Sequence, residues 1–261
     1  MHRHIIPSLS SHTIGIIDRT PVTAIIRGYD VGCAAGENQV RRLIVAIDGP
    51  AGVGKSTVAR LLASRLGYLY LDTGALYRAM AWAVIESGRD PADAEAVAAL
   101  LPTLSLKMQF HHGAATVLVN GKDVSGDLRT PAVSAAASVV SAIPVVRAWL
   151  LPIQRQMGQG GAVVAEGRDM GTNVFPSADV KFFLEADPTV RAQRRHRELV
   201  AAGHSSALEE TTADLAGRDT RDRSRLIAPL VPAEDARFID TSTMSVSEVV
   251  GQMMVVIAAR L

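Results

Sequence analysis

The segment Gly49-Pro50-Ala51-Gly52-Val53-Gly54-Lys55-Ser56 fits G-x-x-x-x-G-K-[ST] without a mismatch. It follows the apolar run Leu43-Ile44-Val45-Ala46-Ile47 and precedes a helical pattern that starts near Lys55. A strand, a glycine-rich turn and a helix in that order make a phosphate-binding loop. The glycines let the main chain curl so that its N–H groups converge on one cluster of oxygens. The helix behind the turn adds the positive end of its dipole. Lys55 can reach the β and γ phosphates, and the Ser56 hydroxyl can ligate Mg²⁺. The candidate triphosphate cradle is therefore Gly49, Pro50, Ala51, Gly52, Val53, Gly54, Lys55, Ser56 and Thr57. The loop implies a nucleoside triphosphate but not the reaction that follows.

The net charge of +1 gives no global field toward nucleic acid or a membrane surface, so any anion site must be a local cluster of Arg and Lys. With 261 residues, 48% of them apolar, the chain can hold one sizeable core, or a core and a small insertion. Cys33 is the one cysteine, which excludes an intramolecular disulfide and fits a reducing cytoplasm. No apolar stretch reaches membrane-span length, and the segment before Ile17, broken by Pro7, does not read as a secretory signal. Residues 1–40 carry no sustained period and read as an extension lacking a packed pattern.

From Arg42 onward strand and helix patterns alternate. Strands are expected at 43–48, 68–71, 162–165, 180–184 and 238–240. Helices are expected at 55–66 (closed by Gly67), from Ala75 to near Gly88 with Thr73 as cap, and from Asp90-Pro91 to about Leu101. Thr130-Pro131 opens another helix, Pro144 interrupts it, and a further segment runs to about Met157. Helices starting at Pro188, covering 207–225, and closing the chain at 245–260 complete the series. Between 102 and 127 the pattern changes to alternation and ends in Asn120-Gly121, a strong hairpin signal, so a small antiparallel element is inserted there. Strands separated by helices predict an α/β fold with a doubly wound parallel sheet.

Four charged clusters suit a second, phosphate-bearing substrate. Asp72-Thr73-Gly74-Ala75-Leu76-Tyr77-Arg78 lies at a strand-to-helix junction, where Arg78 can swing toward a phosphate. Glu166-Gly167-Arg168-Asp169-Met170-Gly171 follows an apolar strand, at the strand end where open α/β sheets hold ligands. In Arg218-Asp219-Thr220-Arg221-Asp222-Arg223-Ser224-Arg225, Arg218, Arg221 and Arg225 share one helix face, and an anionic ligand would relieve their repulsion. This polar stretch also suits a mobile lid. Ser138 and Arg147 flank Pro144 between two helical segments. By contrast, Arg191, Arg194, Arg195 and Arg197 read as a solvated helix face, with no aromatic residues interleaved for nucleic acid. His111 and His112 have no Cys or carboxylate at ligand spacing, so no metal site is expected there.

These clusters, in this order, resemble the bacterial cytidylate kinase family of nucleoside monophosphate kinases. The resemblance rests on Gly49–Thr57, Asp72–Arg78, Glu166–Gly171 and Arg218–Pro229 with the following Leu230-Val231-Pro232, and it covers about residues 42–261. It implies a P-loop-type fold with a five-stranded parallel sheet, a lid at about 206–228 and an inserted monophosphate-binding part. The core would then comprise 41–101 and 128–261, the insert 102–127 with helices extending to about 157. It implies ATP-dependent phosphorylation of CMP and dCMP with Mg²⁺, held by Ser56 and by Glu166 through water. It implies that Arg78, Arg168 and Arg218 hold phosphates, and that Ser138, Arg147 and Asp169 read cytosine. Thr73, Asp222 and Arg225 would face ribose or base, with Arg221 near the transferring phosphoryl. The catalytic set would be Lys55, Arg168, Arg218 and Arg221, in a cytoplasmic monomer acting on small molecules. Thr73 stands where Ser is common in the family, and residues 1–40 have no counterpart in its pattern.

Other P-loop kinases, acting on AMP, UMP or a shikimate-like acceptor, are the main alternative. A GTPase-type switch needs N-K-x-D, yet Asn38, Asn120 and Asn173 are followed by Gln, Gly and Val.

Overall fold

A computed structural model describes residues 42–111 and 114–261. The expected extension with its Cys33, and His112, lie outside the described residues.

β1 (Ile44–Asp48) is the middle strand of a five-stranded parallel sheet. It lies between β6 (Val163–Glu166) and β7 (Val180–Glu185), with β2 (Leu69–Asp72) beyond β6 and β8 (Arg237–Asp240) beyond β7. Ile44 pairs with Val163, and Val45 with Val180. Side chains alternate across this sheet, so each strand feeds two cores. Val45, Ile47 and Val164 pack with α1 (Lys55–Leu66) and α8 (Val246–Ala258) on one face. Ala46, Leu71 and Ala165 pack on the other with α2 (Thr73–Glu86), α4 (Pro131–Val140) and α5 (Pro144–Gly158). Helices on both faces of a parallel sheet make the fold doubly wound.

The insertion is a separate three-stranded antiparallel sheet of β3 (Leu106–His111), β4 (Ala114–Val119) and β5 (Lys122–Asp123). Asn120 (φ 51°) and Gly121 (φ 83°) both take the left-handed conformation that a two-residue turn between β4 and β5 demands. Leu106, Met108, Val117 and Val119 are buried in the same core as α2. Lys122 Nζ also sits 4.7 Å from the Trp82 ring centroid.

Two helix starts differ from expectation. α3 (Ala94–Leu100) begins after Asp93, whose carboxylate accepts from the amides of Glu95 and Ala96. Asp90 instead closes a turn by accepting from Ala92 N–H. At α2 the cap is Asp72, which accepts from Ala75 N–H at 3.0 Å, and Thr73 is the first helical residue. The remaining helices are α6 (Pro188–Ala201) and α7 (Leu208–Ser224), which pack together. Among the described residues no single helix is long and apolar enough to cross a membrane.

Candidate active site

β1, β2 and β6 each end on a carboxylate, Asp48, Asp72 and Glu166, at the same edge of the sheet. A cleft of about 330 Å³ opens there. Among the described residues, nine cationic side chains and five carboxylates line it, an excess of cationic groups in a chain whose net charge is only +1. Such a cleft is built for a polyanion.

The donor side is the glycine-rich loop. A side chain at Gly49 (φ 147°) would put its Cβ 2.3 Å from the Leu184 carbonyl oxygen, so only glycine fits. Gly54 (φ 92°) caps α1 without any side-chain hydrogen bond, which leaves the first helical amides to a ligand. Ala51, Gly52, Gly54, Lys55, Ser56 and Thr57 line the cleft. Gly49, Pro50 and Val53 stand behind it, where Pro50 O accepts from Lys55 Nζ at 2.6 Å. Val53 O accepts from the Thr241 hydroxyl at 3.0 Å, and Ala51 O from Arg191 at 3.1 Å. Carbonyls tied from outside leave the amides free to face inward. Burial, and then the nearby Arg168 cation, push the Lys55 ammonium down to about 7, against the pull of Glu166, Asp222 and Asp48.

The rest of the cleft gathers other expected residues. Arg147 Nη2 and Asp169 Oδ2 form a 2.5 Å ion pair, each side chain 4% exposed. Arg225 reaches Asp169 Oδ1 at 3.4 Å and donates to Ala228 O at 2.6 Å. Arg168 pairs with Asp222 of α7 at 2.7 Å, tying the turn after β6 to the charged helix. Burial works against ionisation of Asp222, but Arg168, Arg225 and Lys55 together hold its carboxyl below the usual range. Arg78 is held by Asp72 at 2.7 Å, with Arg129 at 3.4 Å from the same oxygen. Arg218 lines the cleft and pairs with Asp214 at 2.9 Å. Thr73 does not cap its helix; its hydroxyl donates to Glu166 O at 2.7 Å. Ser138 lines the cleft and accepts from Arg221 Nε at 3.0 Å, while Arg221 itself is not among the lining residues.

The solvated reading of α6 is corrected. Arg191 is buried, pairs with Asp219 of α7 at 2.6 Å and also holds the glycine-rich loop. Arg194 donates to Thr241 O at 2.6 Å, and Arg195 lines the cleft. Arg197 alone of the four is exposed. The donors also fit Mg²⁺, which keeps several waters and takes one or two protein oxygens besides those of phosphate. Ser56 offers a hydroxyl, and Glu166 is a buried carboxylate whose Oε1 accepts from Tyr70. Among the described residues no cluster of three or more His, Cys, Asp or Glu forms a stand-alone metal site.

Several cleft residues were not singled out from the sequence. Arg60, Tyr77 and Arg129 line it, with the Arg147 guanidinium 5.4 Å from the Tyr77 ring centroid. Asp48 lies directly behind it. An ionisable residue closing an otherwise apolar strand was the available signal for Asp48.

The parallel sheet, the glycine-rich loop and the arginines that share its cleft define a P-loop kinase, a phosphotransferase. The family model for cytidylate kinase matches residues 45–259. A cytidylate kinase of Syntrophotalea carbinolica is 49% identical over 220 residues, which cover 84% of this chain and 94% of that protein. One from Geobacter sulfurreducens is 47% identical with the same coverage. A bifunctional pantoate ligase/cytidylate kinase of Synechococcus sp. WH7803 is 50% identical over 215 residues, 80% of this chain and 43% of that protein. The chain belongs to the cytidylate kinase family.

Proposed function

We propose that this kinase transfers the γ-phosphoryl group of ATP to CMP and dCMP, giving CDP and dCDP. The observation that carries this reading is the buried Arg147–Asp169 pair on the acceptor side of the cleft. Cytosine offers an amino donor beside ring acceptors. A carboxylate suits the amine, and a guanidinium suits N3 and O2. Uracil would turn a carbonyl oxygen toward the carboxylate, and mispaired buried polar groups cost about 1–3 kcal/mol each.

The attacking atom is an oxygen of the acceptor phosphate, already ionised near neutral pH, so no general base is needed. The new bond joins that oxygen to the γ phosphorus, and the bond from γ phosphorus to the bridging oxygen of ADP breaks. The protein must overcome repulsion between two anions and hold them in line. Lys55 and the loop amides take the donor. Arg78 and Arg168 take the acceptor phosphate, and Arg218 and Arg221 approach from α7. Thr73, Asp222 and Arg225 orient the sugar and base. Mg²⁺, held by Ser56 and through water by Glu166, would neutralise phosphate oxygens when bound. Closure of α7 over both nucleotides would exclude water and suppress hydrolysis of ATP. The enzyme would act as a monomer, and the lone Cys33 fits a cytoplasmic setting.

A panel of monophosphates (CMP, dCMP, UMP, AMP) and shikimate, with ATP and Mg²⁺ and a coupled ADP readout, tests the reading. CMP and dCMP should give the highest kcat/KM. Equal or faster turnover of AMP or shikimate would overturn it.

A further inference from the structure

We propose that Asp48 is a positioning residue for acceptor selection, setting the base-reading turn in register with the phosphate-binding loop. Asp48 is the last residue of β1, and the chain passes from it directly into Gly49. Its side chain turns instead to the neighbouring strand's outlet. Oδ1 accepts from Met170 N–H and Oδ2 from Gly171 N–H, each at 2.8 Å. These are the two residues that follow Asp169.

Other bonds hold the carbonyls and side chains of this turn: Thr73 donates to Glu166 O, and Arg147, Arg225 and Asn173 reach the Asp169 carboxylate. Gly167 N–H donates to Ile47 O at 3.0 Å, which ends the parallel ladder. Asp169 then leaves regular geometry (φ −146°, ψ 29°), and a single π-turn covers Met170–Val174. At the start of that turn, the Asp48 carboxylate accepts from its first two amides and so fixes the backbone that follows Asp169. Asp48 is 4% exposed, and the Lys55 ammonium is a cation whose charge pulls on it against the cost of burial. Keeping a carboxylate in such a place is costly unless its oxygens are bonded, as both are here. A group that served packing alone would be apolar. Two oxygens bridging the donor loop to the acceptor turn serve alignment.

This inference rests on Asp169 reading the cytosine amine, so Asp169→Asn is measured in parallel. In Asp48→Asn one oxygen is replaced by an NH₂ that faces a backbone N–H. In Asp48→Glu the carboxylate is kept but its oxygens move out by one methylene. Both variants of the full chain are assayed with Mg²⁺ and ATP against CMP and UMP, with circular dichroism and Tm to confirm folding. Misplacing a reading group by a fraction of an ångström should lower kcat/KM for CMP by about 10-fold or more. The CMP-to-UMP preference should narrow, while KM for ATP stays within about 2-fold. A folded variant that loses CMP and UMP turnover equally, or whose main change is in KM for ATP, overturns the proposal. Failure of both variants to fold overturns it too, because Asp48 would then be a folding residue. If Asp169→Asn leaves the preference unchanged, the base-reading assignment itself falls and takes this inference with it. If Asp169→Asn narrows the preference and Asp48→Asn does not, only the positioning role is lost.

Discussion

Lys55 carries its ammonium inside the protein, 6% exposed, with Arg168 as a cationic neighbour. Burial and Arg168 hold its pKa well below the usual lysine value, down to about 7, so raising the pH above neutrality favours the neutral amine in the free enzyme. A bound triphosphate favours the charged form and raises that pKa. The sign is therefore proton uptake on ATP binding, growing as the pH rises above neutrality. Calorimetry in buffers of different ionisation enthalpy should record it, and Lys55→Ala should not show it. That variant should also keep its fold and lose turnover. For Asp169→Asn, two guanidiniums lose a buried counter-charge, and kcat/KM for CMP should fall about 10- to 100-fold while the CMP-to-UMP gap narrows. Steady-state kinetics with both nucleotides checks this. At this scale the sequence was most readable where function is local. Gly49 to Thr57 could be assigned because the loop's geometry is contained in its own residues. Asp48 could not, because the amides it binds lie 122 and 123 positions away.

Helices α6 and α7 form one electrostatic unit. Arg191 joins Asp219 to the Ala51 carbonyl, so the charged helix is tied to the donor loop through a single guanidinium. Both partners are about 10% exposed or less, and removing either leaves a buried charge without its opposite. Breaking such a pair costs about 3–5 kcal/mol. Arg191→Ala and Asp219→Ala should each lower Tm by roughly 10 °C. Calorimetric melting of both variants, and of the double variant, checks this; the double should lose less than the sum. The basic run on α6 was misread for a clear reason. Helical periodicity says which arginines share a face but not what that face meets, and Asp219 comes 28 residues later on another helix. The start of α3 was ambiguous in a different way. Asp90 and Asp93 are both good caps, and Asp93 prevails by satisfying two amides. Adjacent caps competed at α2 as well, where Asp72 takes the amide and leaves the Thr73 hydroxyl to Glu166.

At the scale of the molecule, the alternation of strand and helix was enough to infer a doubly wound sheet, and Asn120-Gly121 enough to locate the small antiparallel insertion. The order β2-β6-β1-β7-β8 was not legible, because strand neighbours are settled by crossovers that no local pattern encodes. Among the described residues, those lining the cleft fall between Ala51 and Arg225. A shortened chain beginning at Arg41 should therefore phosphorylate CMP with kcat/KM within about 2-fold of the full chain, as side-by-side coupled assays would show. The place of β1 between β6 and β7 has a further consequence for how the protein is made. Both of its hydrogen-bonded neighbours are translated more than a hundred residues after β1 itself. The nascent loop must wait unsupported for them, so a polypeptide cut short before β7 would have the whole Walker sequence and still fail to grip a nucleotide.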